Sequence, residues 1–347
     1  MAVHVVLSRD QIQSILSLYH LDPLEDFGGI AEGAINTSYW VQAGGRRYYL
    51  RITENKRMDD MIFEKELLLH LDRHALPVPR LLRNVAKGTF TPWSSRGRFV
   101  SLFQYIPGRA LGVFELRPKH SRIVGRFTAQ LHNATREFRR RRNSDFDLVT
   151  LDQRAERLRR ALEKRRLARR FADDVAALRV HVDEQLARAV DHLPKGIIHG
   201  DLFIENARFQ RDTLIGVVDF EHGAHDRLLL DLALAVNAWC WRPTVKQQGG
   251  PAGRFDLPRL RAMVQGYHRI RPLSRAEQGA LPGELRRIAV HFALARMTRF
   301  EMRRSANQPG FQDYRHFMAR LNALKDGGAE RLLERVFKNT KAAKEKE

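Results

Sequence analysis

The chain has 347 residues, 43% of them hydrophobic, with 61 Lys and Arg against 40 Asp and Glu for a formal charge of +21. That length can bury one large core or two modest ones, and the composition excludes a collagenous, mucin-like or wholly disordered polypeptide. The single cysteine, Cys240, excludes an intramolecular disulfide and fits a reducing compartment; flanked by Trp239 and Trp241, it reads as a buried thiol rather than a nucleophile.

The opening segment, MAVHVVLSRDQIQSILSLYHL, lacks the ordered basic, apolar and small-residue regions of a secretory signal. Residues 7–20 carry apolar positions at helical spacing, with Ser8 as N-cap. After the turn-rich stretch Asp26 to Tyr39, two β-prone runs around Gly44-Gly45 predict a hairpin. Residues 59–75 predict a helix, broken by Pro77 and Pro79. The run VSLFQY from Val100 is β-prone, and Pro107-Gly108 then marks a lobe boundary. Residues 118–137 and 151–192 read as helices, Gly196 to His199 enters a short strand and turn, Leu214 to Phe220 is a second short strand after the turn Arg211-Asp212, and almost everything beyond Asp226 reads as helix. The longest apolar stretch, Leu228 to Trp241, is interrupted by Asp231 and Asn237 and is too short and polar to cross about 30 Å of hydrocarbon. No membrane partner is expected, and the cytoplasm is the expected location. Strands first and helices after give an α+β class with two lobes: residues 1–105, residues 106–337, and a frayed tail over 338–347.

Basic residues crowd Arg136 to Arg170, including the run Arg139-Arg140-Arg141-Arg142. Such a field could attract a polyanion by counterion release. A solvated helical face is the preferred reading, so a nucleic-acid partner is not expected.

The segment IIHGDLFIENARFQRDTLIGVVDFEHGAHDRLLLD, Ile197 to Asp231, holds the chemistry. Asp201 and Asn206 lie five apart in a loop, and Asp219 closes the apolar strand Ile215-Gly216-Val217-Val218. Carboxylate and amide oxygens are the hard ligands that magnesium takes alongside phosphate and water. A loop carboxylate can orient a hydroxyl and accept its proton. His199, before a glycine turn, can pin the loop through the backbone. The thirteen residues from Asn206 to Asp219 leave room for a hairpin that unites both metal ligands. This is the grammar of phosphoryl transfer: H-G-D-x-x-x-x-N, then Asp219-Phe220-Glu221.

HGDLFIEN with VVDFE resembles the aminoglycoside phosphotransferase-like superfamily, which has the two-lobed protein-kinase-like fold. Within it the chain is most similar to the proteobacterial homoserine kinases, through Gly29 to Gly33 with Asn36, Leu230-Asp231 to Trp241, and Gly266-Tyr267 with Arg271-Pro272-Leu273-Ser274. The resemblance implies an ATP- and Mg2+-dependent kinase of a small-molecule hydroxyl, with L-homoserine, an intermediate of threonine biosynthesis, as the favoured acceptor. It implies Asp201, assisted by His199, as the catalytic pair and Asn206 and Asp219 as magnesium ligands. Gly33 and Asn36 would lie in the loop over the nucleotide phosphates, and the Leu102–Ile106 backbone, with Phe103 and Tyr105, would hold adenine. Arg51 would pair with phosphate where kinases place lysine, anchored by Glu64, with Glu66 the competing anchor. Glu221, His222, Asp226 and Arg296 are candidates for the acceptor pocket.

The pattern departs from those kinases at Gly200, Glu221, His222 and Arg51. Another amino alcohol or an aminoglycoside therefore stays open as acceptor. A non-catalytic, polyanion-binding module on a kinase scaffold is the alternative of a different class.

Overall fold

The computed structural model describes the chain apart from residues 1–4, 31–35, 55, 94–97, 165–166, 168, 189–191, 245–250, 303–312 and 345–347. Helix α1 (Arg9–Ser17) begins at Ser8, whose hydroxyl accepts from the Gln11 amide while the Gln11 side chain accepts from the Ser8 amide. Strands β1 (Leu24–Ile30), β2 (Thr37–Ala43) and β3 (Arg46–Thr53) follow, then α2 (Met58–Arg73), β4 (Thr91–Pro92) and β5 (Phe99–Gln104). The remainder contains α3 (Pro118–Ala134), α4 (Leu148–Glu163), α5 (Ala172–Leu186), β6 (Lys195–Ile198), β7 (Ala207–Gln210), β8 (Thr213–Val217), β9 (Ala224–Arg227) and α6 (Leu228–Trp239). A short ribbon of β10 (Trp241–Pro243) and β11 (Gly253–Phe255) precedes α7 (Leu257–Ile270), α8 (Arg275–Met302), α9 (Arg315–Leu324) and α10 (Gly328–Lys344).

Two compact units result. The first comprises Met1–Arg109, Phe138–Arg142 and Ala207–Glu221; the second comprises Ala110–Glu137, Asn143–Asn206 and His222–Glu347. Strands β1 to β5 form an antiparallel sheet in the order β1-β2-β3-β5-β4. Gly44 and Gly45, both at positive φ, close the β2–β3 hairpin with the backbone twist that a two-residue turn requires. One face of this sheet joins Ile12, Ile15 and Leu16 of α1 in a core with Val41, Leu50, Ile52, Val100 and Leu102. Alternation along β3 therefore turns Arg51 to the opposite face from Leu50 and Ile52. The class is α+β with a protein-kinase-like fold.

The second unit is mainly helical and centres on α6, whose residues from Leu228 to Trp239 are all buried. Three expectations change here. Residues 151–192 are not one helix: α4 ends at Glu163, a 3-10 turn spans Arg169–Phe171, and α5 restarts at Ala172. Folding back lets Leu151, Ala155 and Leu158 on one helix and Val175, Leu178 and Val182 on the other all bury, which a single straight rod would leave exposed. The β10–β11 ribbon interrupts the helical remainder, with Trp241 and Phe255 edge to face at 5.1 Å. Helix α10 runs to Lys344, through most of the segment read as a frayed tail.

Candidate active site

The first unit presents a buried charge cluster. Arg51 of β3 donates to Glu64 of α2 at 2.5 Å, with the two residues 6% and 3% exposed. Burial pushes the Glu64 carboxyl up, yet Arg51 and Lys65 override it and hold it at about 2. For Arg51, burial opposes the charge, but Glu64, Glu221 and Asp219 raise its pKa overall. Glu66, the competing anchor, instead receives Arg140 at 2.7 and 3.1 Å. Lys65 was missed by sequence reasoning. Its Nζ stands 3.7 Å from Glu64 and 4.6 Å from the Phe103 ring centroid, with no hydrogen-bond partner among the described residues. Burial and neighbouring Arg51 bring its pKa down to about 7. The signal available in the sequence was a lysine inside the apolar run MIFEKELLLHL.

Phe103 is buried on β5, under Arg51 and Lys65, whereas Tyr105 just beyond the strand is 37% exposed. On the side of β5 away from β3, beyond the short β4, the Leu102 carbonyl accepts from the Leu82 amide and the Gln104 amide donates to the Arg80 carbonyl. Of the Leu102–Ile106 backbone expected to hold adenine, the Leu102 carbonyl and Gln104 amide are therefore already engaged.

Asn36 donates to the Glu221 carboxylate at 2.8 Å, and Lys56 approaches that carboxylate at 3.7 Å. Arg142 donates to the Glu221 carbonyl at 2.6 Å. The structure thus unites Asn36 and Glu221, which sequence reasoning had assigned to different ligands, and adds Lys56, which it had not named. Gly33 lies outside the described residues. Asp219 has φ +66°, a left-handed conformation that Asp adopts more readily than most residues. Strands β7 and β8 pair Ala207, which follows Asn206, with Val217, two residues before Asp219.

The second unit holds the loop after β6. His199 is fully buried; its Nδ1 accepts from the Asp201 amide at 3.1 Å. Asp231 of α6, 1% exposed, accepts from the His199 amide at 2.7 Å and the Gly200 amide at 2.9 Å. Gly200 has φ +76°, and a Cβ there would stand 2.8 Å from the His222 carbonyl, so the turn needs glycine. Asn206 donates through Nδ2 to the Asp201 carbonyl at 2.8 Å and carboxylate at 2.7 Å, bonds that do not use its Oδ1. Phe203 packs edge to face on Phe292 of α8, at 5.0 Å. Asp226 accepts from the Arg227 amide at 2.7 Å. Arg296 stacks over Phe317 at 4.5 Å, which is a packing role on α9. Asp231 was given no site role from the sequence; the signal available was a carboxylate inside an otherwise apolar helix, which must find buried donors.

The sequence matches the phosphotransferase enzyme family over residues 26–273. Homoserine kinase of Methylobacillus flagellatus is 31% identical over 303 residues, covering 86% of this chain and 87% of that protein. Homoserine kinase of Nitrobacter winogradskyi is 32% identical over 308 residues, with 86% and 87% covered. Among solved structures, an amicoumacin kinase in complex with AMP-PNP and Ca2+ matches with a TM-score of 0.68 at 15% identity, over 94% of each chain. At that identity the likeness is one of fold.

Proposed function

The chain belongs to the phosphotransferase enzyme family and is a phosphotransferase acting on an alcohol group, and from that premise we propose that it phosphorylates the hydroxyl of L-homoserine with ATP and magnesium. The observation that carries the chemistry is the loop in which Asp231 clamps the His199 and Gly200 amides while Asn206 donates to Asp201. Such a loop has fixed the backbone before substrate arrives, the condition for aligning a nucleophile. The acceptor identity is supported by the homoserine kinases that match most of the chain.

In this mechanism the Asp201 carboxylate accepts a hydrogen bond from the acceptor hydroxyl, aims its oxygen at the γ-phosphorus and takes the proton as the new P–O bond forms, while the bond from the γ-phosphorus to the β–γ bridging oxygen breaks and ADP leaves. By the resemblance, Asn206 Oδ1 and an Asp219 carboxylate oxygen would hold the cation, a hard donor set suited to magnesium. The cation, when bound, offsets the charge on the transferring phosphoryl group. Arg51 offers phosphate its Nε, a buried donor with no hydrogen-bond partner among the described residues. Glu221, held by Asn36 and Lys56, is assigned to ordering Asn36; a substrate ammonium there would compete with Lys56. The proposed setting is the cytoplasm, where ATP is abundant. Among the described residues no helix is long and apolar enough to cross a membrane.

The polyanion reading loses ground to the ion pairs of the basic segment: Arg140 with Glu66, Arg142 with Asp60, and Arg159 with Glu156. Magnesium-dependent ADP release, measured with homoserine, choline and kanamycin in parallel, tests the acceptor. Release with homoserine alone is expected; release with either of the others and none with homoserine would overturn the assignment.

A further inference from the structure

The motif Gly266-Tyr267 with Arg271 to Ser274 has no part in the chemistry described above, yet four helices of the second unit converge on it. His132, at the end of α3, places Nε2 3.3 Å from Asp231 and Nδ1 2.8 Å from the Tyr267 hydroxyl. Arg271, at the C-cap of α7, donates through NH1 to that hydroxyl at 3.1 Å and to Glu277 of α8 at 2.7 Å. Glu277 in turn accepts from the Ser274 amide at 3.0 Å. His132, Tyr267, Asp231 and Glu277 are each no more than 2% exposed, and Arg271 is 8% exposed. A Cβ on Gly266 would stand 2.4 Å from the Arg122 carbonyl, so glycine there lets α7 approach α3 closely enough for the contact.

The directions of these bonds follow from chemistry. An ionised Asp231 only accepts, so His132 Nε2 must carry a proton toward it. Burial lowers the His132 pKa, against the pull of Asp231, and keeps the ring neutral; Nδ1 is then an acceptor. Burial raises the Tyr267 pKa, so its phenol stays protonated and donates to Nδ1, while its lone pairs take the Arg271 N–H. From Arg271 through Tyr267 and His132, the donors run in series toward the carboxylate that holds the His199 and Gly200 amides.

We propose that Tyr267 is a positioning residue for phosphoryl transfer: acting through His132 and Asp231, it fixes the His199-Gly200 backbone and so the aim of Asp201. This rests on the role proposed above for Asp201. The motif is then explained as the far end of a buried relay anchored by Glu277.

The test pairs kinetics with spectroscopy. Tyr267→Phe keeps the ring and removes the donor; kcat is expected to fall about 5- to 10-fold, the scale of one buried hydrogen bond, with KM for ATP within about twofold. In 15N-histidine-labelled wild-type protein, His132 is expected as the neutral Nε2–H tautomer, a result that does not depend on the variant folding. An unchanged kcat in a folded Tyr267→Phe variant, or an Nδ1–H tautomer in the wild type, would overturn the proposal. An Asp201→Ala control that kept its turnover would sink the underlying assignment of Asp201 while leaving the tautomer result intact.

Discussion

Replacing Lys65 by methionine removes an ammonium that α2 carries into the interior of the first unit. The wild-type side chain is 1% exposed, lies 3.7 Å from Glu64, and has Phe103 rather than an acceptor beneath it. Burial, reinforced by Arg51, takes its pKa from 10.5 down to about 7. Because the folded value lies below the unfolded one, the unfolded chain binds more protons between about pH 7 and 10.5, and stability rises with pH across that window. The charged form costs the folded state about 5 kcal/mol below the window and nothing above it. Methionine has a similar length and no charge, and Glu64 keeps its bond to Arg51. Lys65→Met is therefore expected to stabilise the protein by about 1–4 kcal/mol at pH 7, with the gain fading as pH climbs toward 10. Urea unfolding of both proteins at several pH values measures it. A pH-independent loss of stability in the variant would refute the reasoning, because it would make the ammonium a net-favourable partner of Glu64.

Arg51→Met takes away the better partner of the same carboxylate. It should destabilise the protein by about 3–5 kcal/mol in urea unfolding and raise KM for ATP. Glu64 contributes stability that is present above pH 4.5 and is lost as pH falls toward about 2, so the Arg51 deficit should shrink in acid. Asp219→Asn keeps a side chain that tolerates φ +66° but removes the charge offered to a metal. Calorimetric affinity for magnesium-ATP should fall at least about tenfold, while metal-free ATP binds as in the wild type; equal affinities for magnesium-ATP would remove Asp219 from the metal site.

Much of the fold was legible because local signals agreed with one another. Ser8 caps α1, Gly44-Gly45 turns the first hairpin, and Pro77 and Pro79 follow the end of α2. The Asp201–Asn206 spacing was legible because the loop, its glycine turn and the β7–β8 hairpin are contiguous in sequence. What stayed hidden depends on distant packing. The break between α4 and α5 is imposed by burial against the rest of the helical unit, since helical periodicity runs through both. Lys65 reads as an ordinary helix lysine until β5 places Phe103 beneath it. The partners of Asp231 come from α3 and the loop after β6, some 99 and 32 residues away, so no window of sequence contains them.

Single-turnover transfer of labelled γ-phosphate to homoserine, in wild type and in Asp201→Ala, examines the proposed chemistry most directly. Wild-type protein should label the homoserine hydroxyl only when a divalent cation is present, and Asp201→Ala should bind ATP normally yet transfer at least about a thousandfold more slowly. Near-normal transfer by the variant would contradict the account.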